Sequence, residues 1–469
     1  MTVKIDRFGG IMPRVHPTLL ADGMAVRAHN VKLKSGKLVP IRQPTQAPSS
    51  HSVICRDSLT RIADARSLHV WRRYGGGFDF LAFKGMTWLA KGNLADDNRM
   101  RIIVSGDTEY DNTSLASTPL VYMRDPSNQG LTTYVPLWKN ALPKPTASRT
   151  AGGDPDPQDG TIRYTAFFWT WVDSYGYESP VSPASDIVKY IDGDEITISR
   201  LMQVPSAAVL VRIYKVVTGT ETESIQFVKE VTQSEATEGN LTFAVKDEDA
   251  GEVVPQIEAP FKDLRCIREV PGAFYCGFSP SHPHTVAFSD VNLVYSWPVA
   301  YRYDVQDSIV ALAVTANSVF ALTDGWPYVL SGTSPDGMAV TKLAGPASCA
   351  SARSVCVYKN SVYYASPQGM MVIANSADAG TVCANLTDKI FTKDQWLALK
   401  PETCVCVQHD GALHLFFDGG VDDFGNAVTG LRIDLQEDGK VAVTTHDESA
   451  ACACVDDEED KMYYVKKAQ

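Results

Sequence analysis

The C-terminal third of the chain repeats a hairpin pattern, and this repeat constrains the fold more than any other feature. Each unit is a short alternating strand, a polar turn, and a second alternating strand rich in Val, Tyr and Phe. Four segments align in this way: VALAVTANSVFAL from Val310, VCVYKNSVYYAS from Val355, TCVCVQHDGALHLFF from Thr403 and ACACVDDEEDKMYYV from Ala451.

The spacing of these hairpins is typical of one architecture. The equivalent residues Val319, Val362, Leu413 and Tyr463 are 43, 51 and 50 positions apart. A period of about 40–50 residues with about four strands per unit indicates β-propeller blades, which bury their faces only by stacking around an axis.

The N-terminal region offers one more hairpin, FDFLAFKGMTWLA from Phe78, after the strand SLHVWRRY and the turn Gly75–Gly77. Helical periodicity is almost absent, and the sequence predicts one short helix near Thr392–Leu399. The chain is therefore predicted to be all-β, with a β-propeller-like domain as its main part.

A different pattern interrupts the propeller. Residues 141–160 are rich in Pro, Gly and Asp and indicate a linker. Short strands then follow at close intervals over about 100 residues, which predicts an immunoglobulin-like or fibronectin-like sandwich. Phe167, Trp169 and Trp171 alternate along its first long strand and are interpreted as core. The predicted domains are 1–140 (N-terminal segment and first blades), 145–258 (inserted sandwich) and 261–469 (remaining blades), so the propeller is discontinuous.

Charge and hydropathy exclude several classes of protein. The 469 residues include 43 basic and 55 acidic side chains, a net charge of −12. A sequence-specific nucleic-acid reader normally carries a basic face. No apolar run approaches the roughly 18 residues that cross a bilayer, and the N-terminus has no apolar signal segment. We expect a soluble protein made in a cytosol, without a membrane span.

The ten cysteines are too few for a disulfide scaffold. Cys404/Cys406 and Cys452/Cys454 form i,i+2 pairs inside apolar runs, where strand geometry places both thiols on one face. Zinc sites more often use a Cys-x-x-Cys turn, so a four-thiolate zinc site is the weaker interpretation and core packing the stronger.

Other candidate ligands have ordinary structural explanations. His282 and His284 form a His-x-His pair that could bind a metal, but Pro283 indicates a loop or the edge of a strand, and a surface loop is the stronger interpretation. Ser334–Gly337 has part of an Asp-box pattern and is interpreted as a Pro-Asp-Gly turn. The acidic clusters Asp456–Asp460 and Asp247–Asp249 are interpreted as solvated hairpin turns because neither has EF-hand spacing.

No motif for catalysis is present. The sequence has no Gly-x-Ser-x-Gly elbow, phosphate-binding loop, dinucleotide fingerprint or His-Glu-x-x-His helix. We therefore predict that the protein is not an enzyme, with no catalytic, metal or cofactor-binding residues and no cofactor.

Several stretches resemble a single family, in order across nearly the whole chain. These stretches are RFGGIMPRVHPTLLADGMAVRAHNVKLKSGKLVPIR, TWVDSYGYESPVSPAS, VRIYKVVTGT, VAFSDVNLVYSWPVAYRYDVQDSIVALAV, LTDGWPYVLSGTSPDGM, CASARSVCVYKNSVYYASPQGMMVI and NLTDKIFTKDQWLALKP. They are similar to the tail nozzle proteins of short-tailed bacteriophages, the tail tubular protein B type.

The resemblance implies a structural role in the virion tail of a phage made in the bacterial cytoplasm. Such proteins form a ring, typically a hexamer, below a tail adaptor ring. Tail fibres dock to it, and double-stranded DNA is retained by it and ejected through it without sequence-specific binding. Six copies would carry six times −12, or −72, and an acidic lumen would repel the phosphate backbone. The segments Arg7–Pro17 and Ser35–Leu38 are candidates for subunit contacts or for sheet capping within one subunit.

The alternative function is a carbohydrate-binding or carbohydrate-cleaving propeller that recognises a host receptor. That function would require convergent carboxylates or an arginine cluster, together with exposed aromatic side chains for sugar stacking. Trp326, in a turn beside Pro327, is the best candidate for such an aromatic.

Overall fold

The structure is a computed structural model of the chain. It describes residues 8–33, 37–48, 51–56, 59–106, 119–130, 132–201, 204–205, 207–218, 223–246, 248–249, 251–345, 347–376, 380–420, 428–436 and 440–467. None of the helices in these ranges is long and apolar enough to cross a membrane.

The chain divides into two compact units. The propeller unit comprises the chain up to Pro136, Phe261–Asn292 and Ala300–Gln469, and the sandwich unit comprises Leu137–Pro260 and Leu293–Val299. The sequence placed the sandwich at 145–258, with 141–160 as a linker. That linker assignment was wrong in part, because Leu142 is buried in the sandwich core and residues 147–149 form a strand.

Short strands make up nearly all the regular structure. The first part of the propeller unit has β1 (Gly10–Ile11), β2 (Met24–Ala25), β3 (Val31–Lys32), β4 (Val39–Pro40), β5 (Val53–Cys55), β6 (Ser67–Arg72), β7 (Phe78–Phe83), β8 (Trp88–Lys91), β9 (Ile102–Ser105), β10 (Leu120–Arg124) and β11 (Thr132–Pro136). The sandwich unit has β12 (Ala147–Arg149), β13 (Arg163–Thr165), β14 (Phe167–Asp173), β15 (Val188–Tyr190), β16 (Glu195–Ile198), β17 (Ala208–Thr218), β18 (Glu223–Thr232), helix α1 (Gln233–Glu238) and β19 (Leu241–Ala244).

The second part of the propeller unit follows the sandwich. It has β20 (Arg265–Val270), β21 (Phe274–Ser279), β22 (His282–Phe288), β23 (Arg302–Asp304), β24 (Ile309–Val314), β25 (Val319–Thr323), β26 (Tyr328–Ser331), β27 (Ala339–Lys342), β28 (Cys356–Tyr358), β29 (Ser361–Ser366), β30 (Gly369–Ser376), β31 (Gly380–Asn385), helix α2 (Lys393–Ala398), β32 (Val405–His409), β33 (Ala412–Phe416), β34 (Gly430–Leu435), β35 (Val441–His446), β36 (Ala450–Asp456) and β37 (Lys461–Lys466).

Among the described residues, seven of the sheets are the blades of a propeller. Blade I is β5-β7-β6, blade II β8–β11, blade III β20–β23, blade IV β24–β27, blade V β28–β31, blade VI β32–β35 and blade VII β36–β37. The strands β6, β8, β20, β24, β28, β32 and β36 each stand at one edge of their sheet, and neighbouring ones contact one another from β8 through β20, β24, β28, β32 and β36 to β6. These are the inner strands.

Hydrophobic clusters between neighbouring blades close the ring. Leu413 and Leu415 of β33 pack toward blade V, whereas Phe416 of the same strand packs toward blade VII. Phe80 of blade I packs with Cys452 of blade VII, so the first and last blades meet. Alternation along each strand thus buries both faces of a blade, which requires a neighbour on each side.

The four C-terminal hairpins predicted from the repeat are confirmed as β24–β25, β28–β29, β32–β33 and β36–β37, each opening a blade. The hairpin predicted from Phe78 was wrong. β7 pairs with β6 across the Gly75–Gly77 turn, and β8 begins blade II instead. The residues 84–87 between β7 and β8 look like a hairpin turn, but here they connect two blades.

The N-terminal strands complete blade VI. β1 lies parallel to β35, with Gly10 opposite Val443, and β2 extends the same sheet. Gly10 has φ +93°, and a Cβ there would lie 2.6 Å from the Val443 carbonyl oxygen, so this contact requires glycine. Residues about 430 positions apart are therefore joined in one sheet.

Both helices begin with a capping box. The predicted helix near Thr392–Leu399 is confirmed as α2, with Thr392 accepting from the Gln395 amide. Helix α1 was not predicted, although Thr232 and Glu235 have the same spacing and form the same reciprocal bonds.

Candidate functional site

The main candidate site is an open cavity of about 330 Å³ lined by inner strands of the propeller and the residues next to them. In blades II to VII the inner strand is the first strand of the blade, whereas in blade I the inner strand β6 follows β5. Arg353, before β28, and Ala65, before β6, both contact the start of β36, through the Ala451 carbonyl and the Cys452 thiol. The residues that precede these inner strands therefore lie at one end of the axis. The lining residues come from blades I, II, III, V, VI and VII: Arg66, Ser67, Leu68, His69, Met86, Thr87, Trp88, Arg268, Ala352, Arg353, Val355, Cys356, Val357, Val405, Cys406, Val407, Gln408, Cys452, Ala453, Val455 and Asp457.

Three arginines line this cavity. Arg66 precedes β6, Arg353 precedes β28, and Arg268 lies within β20. Arg353 donates from Nη1 to the Ala451 carbonyl at 3.2 Å, and burial together with the positive charge of Arg66 lowers its pKa. The cavity is therefore cationic at the end where Arg66 and Arg353 lie.

The sequence reasoning missed these arginines because they come from distant repeats. A usable signal was present, since Arg66 and Arg353 each stand at most three residues before an inner strand, β6 and β28. Only the closed ring brings residues 66, 268 and 353 to a common cavity.

The cysteine pairs are core residues, as predicted. Cys404 and Cys406 lie in the cluster between blades V and VI, and Cys452 lies in the cluster between blades I and VII. Burial raises the pKa of the Cys452 thiol to about 12. Within the described ranges, no three or more His, Cys, Asp or Glu side chains are grouped as a metal site would need.

Replacing Cys404 and Cys406 with alanine should lower the free energy of unfolding by about 1 kcal/mol per site, because each change removes one buried sulfur. Urea denaturation measures this loss, and elemental analysis should give the same zinc content for both proteins. Cys55→Ala, at an exposed position, is the control. Stoichiometric zinc that disappears in the double variant would contradict core packing.

The His-x-His pair lies on a strand, so its assignment to a surface loop was wrong. His282 begins β22 and stacks on Phe261 with ring centroids 4.6 Å apart. A register shift next to Ser279 accommodates Pro283 at the start of this strand. Both histidines are exposed.

Ser334–Gly337 is confirmed as a turn between β26 and β27, with Ser334 Oγ donating to Asp336 at 2.5 Å. The turn after β36 is also confirmed, but Asp456 is not solvated. It is buried and paired with Arg72 of blade I. Residue 247 lies outside the described residues, whereas Glu248 and Asp249 are exposed.

The aromatic candidates are packed. Phe167, Trp169 and Trp171 are buried in the sandwich core, as predicted. Trp326 is half-buried against the cluster of blades III and IV, and Lys342 Nζ lies 4.6 Å from its ring centroid. Trp326 is therefore a weak candidate for sugar stacking.

The first of the two segments considered for subunit contacts extends a sheet within the chain. Gly10–Ile11 joins blade VI, and Gln395 donates to the Pro13 carbonyl at 3.1 Å. Strands β3 and β4 flank the second segment. Arg7, Ser35 and Gly36 lie outside the described residues.

Two motifs of the family resemblance meet in the sandwich unit. Glu178, from the stretch TWVDSYGYESPVSPAS, is buried and accepts from Arg212 Nη1 and Tyr214 OH, both at 2.7 Å, and from Thr170 Oγ1 at 2.5 Å. Arg212 and Tyr214 belong to the stretch VRIYKVVTGT. The following Ser-Pro-x-Ser-Pro-x-Ser segment covers the edge of β14, because the amides of Ser179, Ser182 and Ser185 donate to its carbonyls. These motifs are structural.

Glu178→Ala should lower the free energy of unfolding of the sandwich by about 3 kcal/mol, since it leaves Tyr214 and Arg212 without their buried acceptor. Glu230→Ala is a matched control, because Glu230 accepts from the same guanidinium at 2.8 Å but is 38% exposed. Its effect should stay below about 1 kcal/mol. Equal effects in urea denaturation would contradict this assignment.

Comparisons with known proteins identify no family. No family model and no curated protein matches the chain. Among solved structures, Hsv2 of Kluyveromyces lactis is 12% identical over 50% of this chain and 66% of its own, with a TM-score of 0.21. A putative exported protein of Bacteroides fragilis is 7% identical over 49% of this chain and 70% of its own, with a TM-score of 0.24. The chain thus spans just under two thirds of the Hsv2 chain, and the propeller assignment depends on the sheets described above.

Proposed function

We propose that this chain is a structural virion protein that forms the distal nozzle ring of a short-tailed phage tail. The ring is a hexamer docked to the tail adaptor, it carries tail fibres, and DNA passes through its lumen. The observation that carries the proposal is the Glu178–Arg212–Tyr214 cluster. It unites two motifs of the resemblance in one hydrogen-bonded network around the buried Glu178, so the two matches belong to a single structural feature.

The propeller geometry supports a lumen between subunits. The axial cavity of about 330 Å³ is far too small for a duplex, whose major groove alone is about 12 Å wide. DNA would therefore pass along the outer surface of each subunit, inside the ring. The net charge of −12 favours sliding over retention by phosphate contacts.

Negative-stain electron microscopy of virions, with a gold-labelled antibody against this chain, tests the proposal. We expect label at the distal end of the tail. Label on the capsid, or virions that retain DNA and infect normally without this chain, would overturn it.

DNA binding by the isolated chain provides a second measurement. At physiological salt we expect weak binding without sequence preference, with a Kd of about 10⁻⁴–10⁻⁶ M, because few phosphates can be neutralised. Nanomolar, sequence-dependent binding in a gel-shift titration would count against a conduit.

Receptor recognition through carbohydrate is the second candidate function. The observation that favours it is the set of three arginines in the axial cavity, which supplies the required cationic cluster. Binding of the chain to host cells that is lost after glycosidase treatment would favour this function over the nozzle.

A further inference from the structure

The axial cavity combines excess positive charge with apolar walls. Arg66, Arg268 and Arg353 line it, and Asp457 is the acidic side chain among its lining residues. Because Asp457 directly follows β36, it lies toward the opposite end of the axis from Arg66 and Arg353. The charge at the arginine end is therefore not balanced by Asp457.

The arginines are also left without carboxylate partners. Within the described ranges, none of the three arginines takes part in an ion pair. Arg353 is fixed through one nitrogen by the Ala451 carbonyl, which leaves the rest of its guanidinium free to bind. The positive charges of Arg66 and Arg353 repel each other. A bound anion would relieve this repulsion.

The chemistry of the lining specifies the kind of anion. A guanidinium presents paired N–H groups that match two oxygens of a carboxylate or phosphate. The walls beside the arginines include Trp88, Met86 and Val405, which suit the less polar body of an organic molecule. A volume of about 330 Å³ is at the small end of ligand pockets, which run from about 300 to 1,000 Å³.

We propose that the axial cavity of the propeller binds a small organic oxyanion of about monosaccharide size, whose carboxylate or phosphate group is held by Arg353, Arg66 and Arg268. This site is independent of the nozzle function, since it lies within one subunit and needs no ring. The same chemistry is found in sugar acids and in sugar phosphates.

Isothermal titration calorimetry on the full chain at low salt tests the proposal, with glucuronate and glucose 6-phosphate as probes and glucose as the neutral control. We expect at least one charged probe to bind while glucose does not. Binding of glucuronate alone would assign a carboxylate ligand, binding of glucose 6-phosphate alone a phosphate ligand, and binding of both the shared oxyanion chemistry. Failure of both charged probes at millimolar concentration would overturn the proposal.

Variants locate the site. Arg353→Gln and Arg66→Gln should each weaken binding about tenfold or more, since each removes charge-assisted hydrogen bonds. Arg61→Gln is the matched control, because Arg61 is exposed and paired with Asp64 outside the cavity. It should leave affinity unchanged. Unaltered affinity in both cavity variants would overturn the assignment.

Stability without ligand separates a binding role from a structural one. Arg66→Gln should keep or raise the melting temperature of the ligand-free chain, because it removes a charge that acts against Arg353. The same variant should lose the rise in melting temperature that the bound probe gives to the unmodified chain. A lower melting temperature without ligand would assign Arg66 a structural role and overturn its place in the site.

Discussion

Replacing Arg124 with methionine is expected to lower the free energy of unfolding of the propeller by about 4 kcal/mol. Arg124 is on β10 of blade II and is fully buried. Its guanidinium donates to the carbonyls of Trp71 and Arg72 on β6, at 2.8 and 2.9 Å, and lies 2.9 Å from Asp79 of β7. Methionine has a similar apolar stem but removes the ion pair with Asp79 and the hydrogen bonds to the carbonyls of Trp71, Arg72 and Gln129.

Arg73, the second partner of Asp79, offers a matched control for this prediction. Arg73 also donates to Asp79, at 2.9 Å from Nε, but the Arg73 side chain is 32% exposed. Water can replace it, so Arg73→Gln should cost only about 1 kcal/mol. Urea denaturation measures both losses, and hydrogen exchange of β6 and β10 should show that blades I and II open first in Arg124→Met. Equal losses in the two variants would contradict the role assigned to Arg124.

Lowering the pH from 7 to 5 is expected to remove about 4 kcal/mol from the stability of the propeller through two buried histidines of blade VI. Burial, the charge of Arg432 and the neighbouring His446 and His409 lower the pKa of His414 to about 3. Arg432 Nη1 donates a hydrogen bond to His414 Nε2 at 2.9 Å. The imidazole nitrogen Nε2 must therefore stay unprotonated. Burial lowers the pKa of His446 to about 4, against the opposing charge of Glu448.

The sign of the effect follows from these values. In the unfolded chain a histidine titrates near pH 6.5, so below that pH protons bind to the unfolded chain first. The free energy of unfolding is therefore highest above pH 6.5 and falls as the pH drops toward the pKa values of the folded chain. At pH 5 the loss is about 2 kcal/mol per histidine. Denaturation midpoints at pH 8, 7 and 5 measure it, and the interval from 8 to 7 is the internal control. In His414→Gln the loss between pH 7 and 5 should be smaller by about 2 kcal/mol than in the unmodified chain, and an unchanged loss would contradict the assignment.

Local patterns in the sequence were sufficient for the repeating part of the fold. Alternating apolar residues around the turns near Asn360 and Gly411 specify hairpins, and their period specifies blades, because a two-sided sheet requires a neighbour on each face. The caps of α2 and the aromatic stripe from Phe167 to Trp171 are likewise local. They depend on residues a few positions apart, which the sequence displays directly.

The errors came from pairings that local patterns cannot distinguish. The residues that join β7 to β8 are as polar and as short as a hairpin turn, and only the pairing of β8 with β9 shows that they cross between blades. The Pro-rich segment after residue 141 has the composition of a linker, yet Leu142 is buried because the sandwich core has space for it. The amino-acid composition of a segment does not indicate whether a core has space for one of its side chains.

The sequence by itself determined that the chain is all-β, that its C-terminal part repeats as blades, and that a sandwich interrupts them, since these features depend on periodicity. Only the tertiary structure decided that β1 and β2 join blade VI, that Arg124 bridges blades I and II, and that Arg66, Arg268 and Arg353 share one cavity. Each of these involves residues from different blades. Closing the ring is what brings them together, and the geometry of closure depends on the packing of all seven blades at once, which no single segment encodes.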